Sequence, residues 1–362
     1  MAKTVFILGA GASQQAGVPL MSGFLDTARD LLDRGRLDSG DATKFDKVFS
    51  TISKLSAVFS KSYLDLDNIE EVFGAIEMGW LIQSLGGVPK EEIPEVKEAI
   101  QRLIVRTIEI TAQFPISGDP LSIQSPSPYG YFFELVKHMR EDSNDFPCSI
   151  LTFNYDIVLD YTFRYFDIYY CLSEKPSNSR LKILKLHGSL NWGWCDKCNE
   201  IMSCDLQKYT SNRELYVNRL YKEGIRSTEI PIGTKISKFK HPRCKNPLKG
   251  PVLVPPTWNK TEYHTSLSNV WRQAAKELSE AENIFIIGYS FPETDLFFKY
   301  LLALGGISET QIRRFWVFNP DRKLEPSYKS LIGRGIEKRF KYHSEVFLEA
   351  IRIIQTELSH NS

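Results

Sequence analysis

The chain has 362 residues, 42% of them apolar and 25% charged, with a formal net charge of +1. These are the figures of an ordinary globular protein, long enough for one large α/β domain or two smaller ones. They give no global pull toward nucleic acid or anionic lipid, and no apolar run approaches the roughly 18 residues of a membrane helix. In chain order, the first predicted element is a strand, Thr4–Leu8, which runs into Gly9-Ala10-Gly11-Ala12-Ser13. A glycine turn after so short an apolar run marks a buried strand rather than a signal sequence. Residues 20–140 follow as a helical insertion or lobe beside the sheet. Within it, Leu66–Leu85 and Glu91–Phe114 carry apolar residues at helical spacing. Further strands are predicted at Cys148–Phe153, Leu181–Leu186, Pro251–Val254, Ile284–Ile287 and Arg314–Phe318. Helices are predicted at Asp156–Arg164, Leu267–Ala281, Glu293–Leu304 and Glu345–Leu358. This alternation predicts one domain over 1–362 built on a Rossmann-like parallel sheet, with ligands at the carboxyl ends of its strands.

Residues 191–249 break the rhythm. They are rich in Cys, Lys, Gly and Pro and read as a small irregular module. Its basic cluster, Lys235, Lys238, Lys240, Arg243 and Lys245, reads as a solvated loop. Six cysteines, two of them in a Cys-x-x-Cys pair, fit a reducing compartment with a metal-binding segment, hence the cytoplasm. Cys195 and Cys198 are one half of a zinc site. Cys148 and Cys171 read as buried core residues.

Five strand ends carry candidate chemistry. Gly9 and Gly11 allow close approach of backbone to a pyrophosphate, and the following helix start favours its charge. Gln14 stands where the dinucleotide fingerprint of dehydrogenases has glycine, which argues against a dehydrogenase. LTFNYD (Leu151–Asp156) delivers Asn154 and Asp156 either to one side of the strand end or as a helix cap. KLHGSLNW (Lys185–Trp192) places His187 after a strand, where it is either structural or a proton-transfer group. IFIIGYSFPETD (Ile284–Asp295) offers Gly288 and Ser290, and WVFNPD (Trp316–Asp321) offers Asn319; these suit ribose and phosphate contacts.

GAGAS, TFNYD, LHGS, a cysteine module, GYS and FNP, in that order, resemble the sirtuin family over about Val5 to Asp321. The resemblance is nearest to a divergent prokaryotic sirtuin-like branch of antiphage defence that hydrolyses NAD+. It implies that Asn154 positions ribose and water, that Asp156 supports the sugar or the loop, and that His187 is a general base. It also implies NAD+ contacts at Gly9, Ala10, Gly11, Ala12, Ser13, Gln14, Gly288, Ser290 and Asn319, with Gln15 as the alternative to Gln14 on the nicotinamide side. The position of a second Cys-x-x-Cys holds His241-x-x-Cys244, which implies a structural zinc on Cys195, Cys198, His241 and Cys244, with Cys204 as a spare. The alternative is a metal-free loop.

Two departures separate the chain from protein deacylases. AGVP (Ala16–Pro19) is followed by Leu20-Met21-Ser22-Gly23 instead of Asp-Phe-Arg, and the peptide-binding stretch reads VLVPPTWNK (Val252–Lys260). The expected activity is therefore NAD+ glycohydrolase, with deacylase or a non-catalytic NAD- or ADP-ribose-binding module as alternatives. A nuclease subunit is disfavoured because no carboxylate cluster for magnesium stands out. No sensing segment is evident after Asp321, so control is expected from homo-oligomerisation or a partner. By resemblance the partner is a HerA-type hexameric ATPase or, second, a short prokaryotic Argonaute. The helical lobe is the expected assembly surface.

Overall fold

Thr4–Leu8, Asn283–Ile287 and Arg314–Phe318 are runs of branched and aromatic residues, and strands of that kind need cover on both faces. The computed structural model describes residues 3–56, 63–118, 122–141, 147–172, 180–211, 218–220, 226–254, 261–292, 296–305, 310–333 and 335–359. It contains a seven-stranded sheet of β1 (Thr4–Leu8), β2 (Cys148–Thr152), β3 (Ile168–Tyr169), β4 (Leu181–Lys185), β5 (Asn283–Ile287), β6 (Arg314–Phe318) and β7 (Phe340–His343). The order is β7-β6-β5-β1-β2-β4-β3, and every neighbouring pair is parallel. Val5 of β1 faces Ile284 on one side and Ser149 on the other. The chain fills one side of β1 with β2, β3 and β4, then crosses over for β5, β6 and β7. In open parallel sheets the crevice at such a reversal is the ligand site. Gly9, Asn154, His187, Gly288 and Asn319 all follow strands at that end.

The helices are α1 (Ala10–Gln14), α2 (Phe24–Asp33), α3 (Ser39–Ser56), α4 (Ile69–Leu81), α5 (Ile93–Thr111), α6 (Tyr129–Glu141), α7 (Val158–Thr162), α8 (Leu206–Thr210), α9 (Thr261–Ser279), α10 (Leu296–Gly305), α11 (Glu325–Leu331) and α12 (Phe347–Ser359). Alternate residues of β1 enter two cores. Phe6 and Leu8 join α6 and α12, with the Phe132 ring 5.0 Å from Phe6. Val5 and Ile7 join Val270 of α9 and Phe298 of α10. Among the described residues, no helix is long and apolar enough to cross a membrane.

Helices α2 to α5 form the lobe between β1 and β2, with α5 at its centre. Buried Arg106 of α5 binds Asp41 of α3 at 2.9 Å, Glu109 at 3.1 Å and Glu229 at 3.5 Å. Burial raises the pKa of Glu109, opposed by Arg106 and by hydrogen bonds from Thr234. Breaking such a buried cluster by removing one partner costs about 3–5 kcal/mol. It ties the lobe to the segment that leads into the cysteine module. Asn68 caps α4 by accepting from the Glu70 amide at 2.9 Å.

The structure departs from the sequence reading at particular elements. Pro251–Val254 is not a strand of the parallel sheet. Lys249–Leu253 instead pairs antiparallel with Gly188–Cys195, which also pairs with Glu200–Ser203. Gly188 permits that contact, with φ +84° and space for a Cβ only 2.1 Å from the Val252 carbonyl oxygen. The helix expected at Asp156–Arg164 is the shorter α7, which starts after a turn in which Asp156 accepts from the Val158 amide at 2.9 Å. Helix α6 packs on β1 as part of the sheet layer. Strands β3 and β7 had no sequence signal: one has two residues and the other is the mixed edge segment Phe-Lys-Tyr-His. Residues 255–260 of VLVPPTWNK and 293–295 of the helix expected at Glu293–Leu304 lie outside the described residues.

Candidate active site

Two loops meet at the reversal point, and glycine is what lets them meet. A Cβ on Gly9 would lie 2.4 Å from the Tyr289 Cα, and one on Gly11 would lie 2.8 Å from the Gly288 Cα. The Gly11 amide donates to the Gly288 carbonyl at 2.8 Å, and Gly288 has φ +62°. Ala12 is fully buried, and its amide donates to Gly9 at 3.0 Å. These glycines therefore bring loop to loop. Asn319 supports the same junction. Its amide donates to the Tyr289 carbonyl at 3.1 Å, and its side-chain oxygen accepts from the Asp321 amide at 3.0 Å. Tyr328 donates to that Tyr289 carbonyl at 2.7 Å.

Behind the first loop lies a buried polar network. The Asn154 side-chain amide donates to the Gly9 carbonyl at 2.9 Å and to Ser13 Oγ at 3.0 Å. Ser13 Oγ is also 2.8 Å from the Tyr129 hydroxyl and hydrogen-bonds the Asp156 carboxylate. Ser13 thus faces inward, where it holds Asn154. Burial raises the Asp156 pKa, opposed by the Lys185 ammonium and the Ser13 bond. Lys185 is itself fully buried. It donates to the Asp156 carbonyl at 2.6 Å and pairs with Asp160 at 2.6 Å. Burial, with the Asp156 charge nearby, raises Tyr129 well above the ordinary phenol range, so it remains a proton donor.

Two cavities open from this framework. The inner one, about 80 Å³, is walled by Asn154, Asp156, His187 and Tyr289 and by apolar residues of the lobe such as Phe73 and Ile104. The His187 ring is 5% exposed and packs edge-on against Phe153 at 5.1 Å. Phe153 in turn stacks on Tyr289 at 4.5 Å. The outer cavity, about 360 Å³, is a trench lined by Gly11, Gln14, Gln15, Gly288, Ser290 and Asn319. Ala10, Ser290 and Glu70 line both. Of the expected site residues, Gly9, Ala12 and Ser13 line neither cavity and act from behind. The trench also carries Glu70, Asp321 and Glu345, and no Lys or Arg is among its described lining residues.

Tyr129, Tyr289, Glu70 and Lys185 escaped the sequence reading. Tyr289 and Lys185 stand inside GYS and KLHGSLNW, so position was a signal for both. Tyr129 and Glu70 sit in helical periodicity far from any motif.

The second cluster is chemically separate. The donor atoms of Cys195, Cys198, His241 and Cys244 all lie within 4.8 Å of one another. Cys195 and Cys244 sulfurs are 3.4 Å apart, and Cys198 Sγ is 3.5 Å from His241 Nδ1. Burial pushes the Cys198 thiol up to about 11. Burial acts the same way on Cys244, but hydrogen bonds from the Asn246 backbone and the neighbouring donors bring it down to about 7. Three thiols and one imidazole nitrogen converging this closely fit tetrahedral zinc, and four protein donors leave no open position, so such a metal is structural. Glu200 hydrogen-bonds His241 Nε2, the outer support that fixes a ligating imidazole. Cys204 lies apart from the cluster, buried with its pKa pushed up to about 12.

No protein-family model and no curated protein matches the chain. Among solved structures, it is similar to a Sir2 homologue in complex with NAD at 14% identity and TM-score 0.42, covering 99% of this chain and 91% of that one. It is also similar to a sirtuin solved for the structural basis of substrate affinity, at 12% identity and TM-score 0.42, covering 98% and 93%. A structure on the mechanism and regulation of Sir2 enzymes stands at 12% identity and TM-score 0.41, covering 99% and 93%.

Proposed function

We propose that this chain is an NAD+ glycohydrolase. The carrying observation is that Asn154 and His187 line one cavity, which shares Ala10 and Ser290 with a trench walled by the glycine turns after β1 and β5. The dinucleotide lies along the trench, with its nicotinamide ribose entering the inner cavity. The trench lining offers neutral polar side chains such as Gln14 and Ser290, rather than cationic ones, to the dinucleotide. Apolar walls take the nicotinamide ring, which is neutral once released. The C–N bond to ribose breaks with its electron pair going to nicotinamide, through an oxocarbenium-like state. Water oxygen then bonds to the ribose carbon, and His187 takes its proton. Asn154 aligns the ribose and the water. The products are nicotinamide, ADP-ribose and one proton.

The order of motifs supports a finer reading: NAD+ depletion in antiphage defence, by a cytoplasmic homo-oligomer controlled through its assembly or through a partner, a HerA-type ATPase or a short Argonaute. The test is turnover by the purified protein, alone and with its genomic neighbour, against Asn154→Ala and His187→Ala, with products resolved by chromatography. Release of nicotinamide and ADP-ribose by wild type and not by either variant supports the hydrolase. Activity of the mixture alone identifies the partner as the switch. Binding without cleavage under both conditions overturns the reading and favours a binding module.

A further inference from the structure

Hydrogen bonds behind the inner cavity can be traced one by one. The Asn154 amide nitrogen has two hydrogens and two acceptors, Gly9 O at 2.9 Å and Ser13 Oγ at 3.0 Å. Amide planarity then leaves Oδ1 as the atom turned away from the loop, and Asn154 lines the cavity. Ser13 Oγ already accepts from Asn154. A further contact is the Tyr129 hydroxyl at 2.8 Å, a hydrogen bond in which either oxygen can donate. Tyr129 is 1% exposed, and its ring is held edge-on against Phe347 at 5.2 Å, so the phenol has little freedom to turn away.

We propose that Tyr129 is a positioning residue: its hydroxyl holds Ser13, and Ser13 holds the Asn154 amide with Oδ1 toward the cavity. This rests on the reading of Asn154 as the ribose and water positioner. Without the phenol, the Ser13 hydroxyl can turn, and the Asn154 amide loses one of its two anchors. Misalignment then lowers the rate of the chemical step more than it weakens binding along the trench.

Tyr129→Phe removes one oxygen and keeps the ring packing. The expected result is a kcat for NAD+ hydrolysis lower by about tenfold, the size of one lost hydrogen bond, with KM unchanged and the unfolding temperature lower by only a few degrees. Because Tyr129 acts through Ser13, adding it to Ser13→Ala should cost nothing more. An independent readout is the side-chain amide resonance pair of Asn154, assigned by its loss in Asn154→Ala, which should shift or broaden in Tyr129→Phe. Wild-type kcat with an unmoved Asn154 resonance overturns the proposal, as does full additivity with Ser13→Ala. If the wild type cleaves no NAD+ at all, the hydrolase reading fails, and the amide resonance still decides whether Tyr129 positions Asn154.

Discussion

The cysteine centre and the carboxyl end of the parallel sheet arrange their polar atoms in opposite ways. At the cysteine centre, four donors from two strand-loop segments turn toward one another, all within 4.8 Å. At the sheet end, Ser13 and Tyr129 meet behind a cavity, and Asn154, Asp156 and His187 stand at its wall. A closed donor set needs an ion to complete it. A wall of supported groups beside empty volume needs a substrate. The two regions should therefore fail independently.

The largest effect is expected at the metal. One zinc per chain is expected by elemental analysis, lost in Cys195→Ser and on strong chelation. Structural zinc contributes on the order of 10 kcal/mol in small zinc-dependent folds. The sheet formed by Gly188–Cys195, Glu200–Ser203 and Lys249–Leu253 should accordingly become protease-sensitive. A metal-free protein of unchanged melting temperature would remove the contrast. Next come His187→Ala and Asn154→Ala, each expected to lower NAD+ turnover by about 10²- to 10⁴-fold. Zinc content should be unmoved; a loss of zinc in either would show that the two regions are coupled.

What was legible beforehand follows the same division. The cysteine ligands come in two short x-x pairs, so each half is readable locally, and Glu200, which directly follows the turn at 196–199, is not. Asn154, His187, Gly288 and Asn319 were readable because strand ends announce themselves as apolar runs that stop. Tyr129 was not: 116 residues separate it from Ser13, and only the packing of α6 on β1 brings them together. Ser13 was expected to touch phosphate because position in a glycine turn is visible in sequence, whereas the direction of its hydroxyl depends on that tertiary partner. Residues 251–254 read correctly as extended and wrongly as a sheet neighbour, since pairing partners are set by Gly188 across a sharp turn.

Gly9→Ala tests whether loop contact underlies the site. Its Cβ would meet Tyr289 backbone at 2.4 Å, so denaturant unfolding should show a loss of about 1–3 kcal/mol together with reduced turnover. A variant of wild-type stability would mean the two loops part readily. The trench electrostatics give a smaller effect. A 2′-phosphate adds roughly −1.5 to −2 charge beside Glu70, Asp321 and Glu345. NADP+ should therefore have a KM higher than that of NAD+ by about tenfold at low salt, with the gap closing as salt rises. Equal use of both would place the adenosine ribose away from these carboxylates.

Asp156→Asn gives the smallest change in stability, on the order of 1 kcal/mol, and its sign is diagnostic. Burial raises the pKa of this carboxyl, against the pull of Lys185 and Ser13, while Asp160 pushes the same way as burial. The folded chain therefore keeps the proton at pH values where the unfolded chain, with its ordinary value near about 3.9, has lost it. Stability from this group is full below the unfolded value and is lost as pH rises through the folded one. Above the unfolded value this buried carboxyl is therefore a net cost, and its removal leaves Lys185 balanced by Asp160 alone. Relative to wild type, Asp156→Asn should gain stability as pH climbs from about 4 toward neutrality. Turnover should fall at the same time, because Asp156 stands in the cavity wall beside Asn154 and His187 and an amide there adds two donors that a carboxylate lacks. A variant less stable than wild type by a constant margin across that pH range would make Asp156 a plain helix cap for α7. The polar network would then be as purely structural as the cysteine centre.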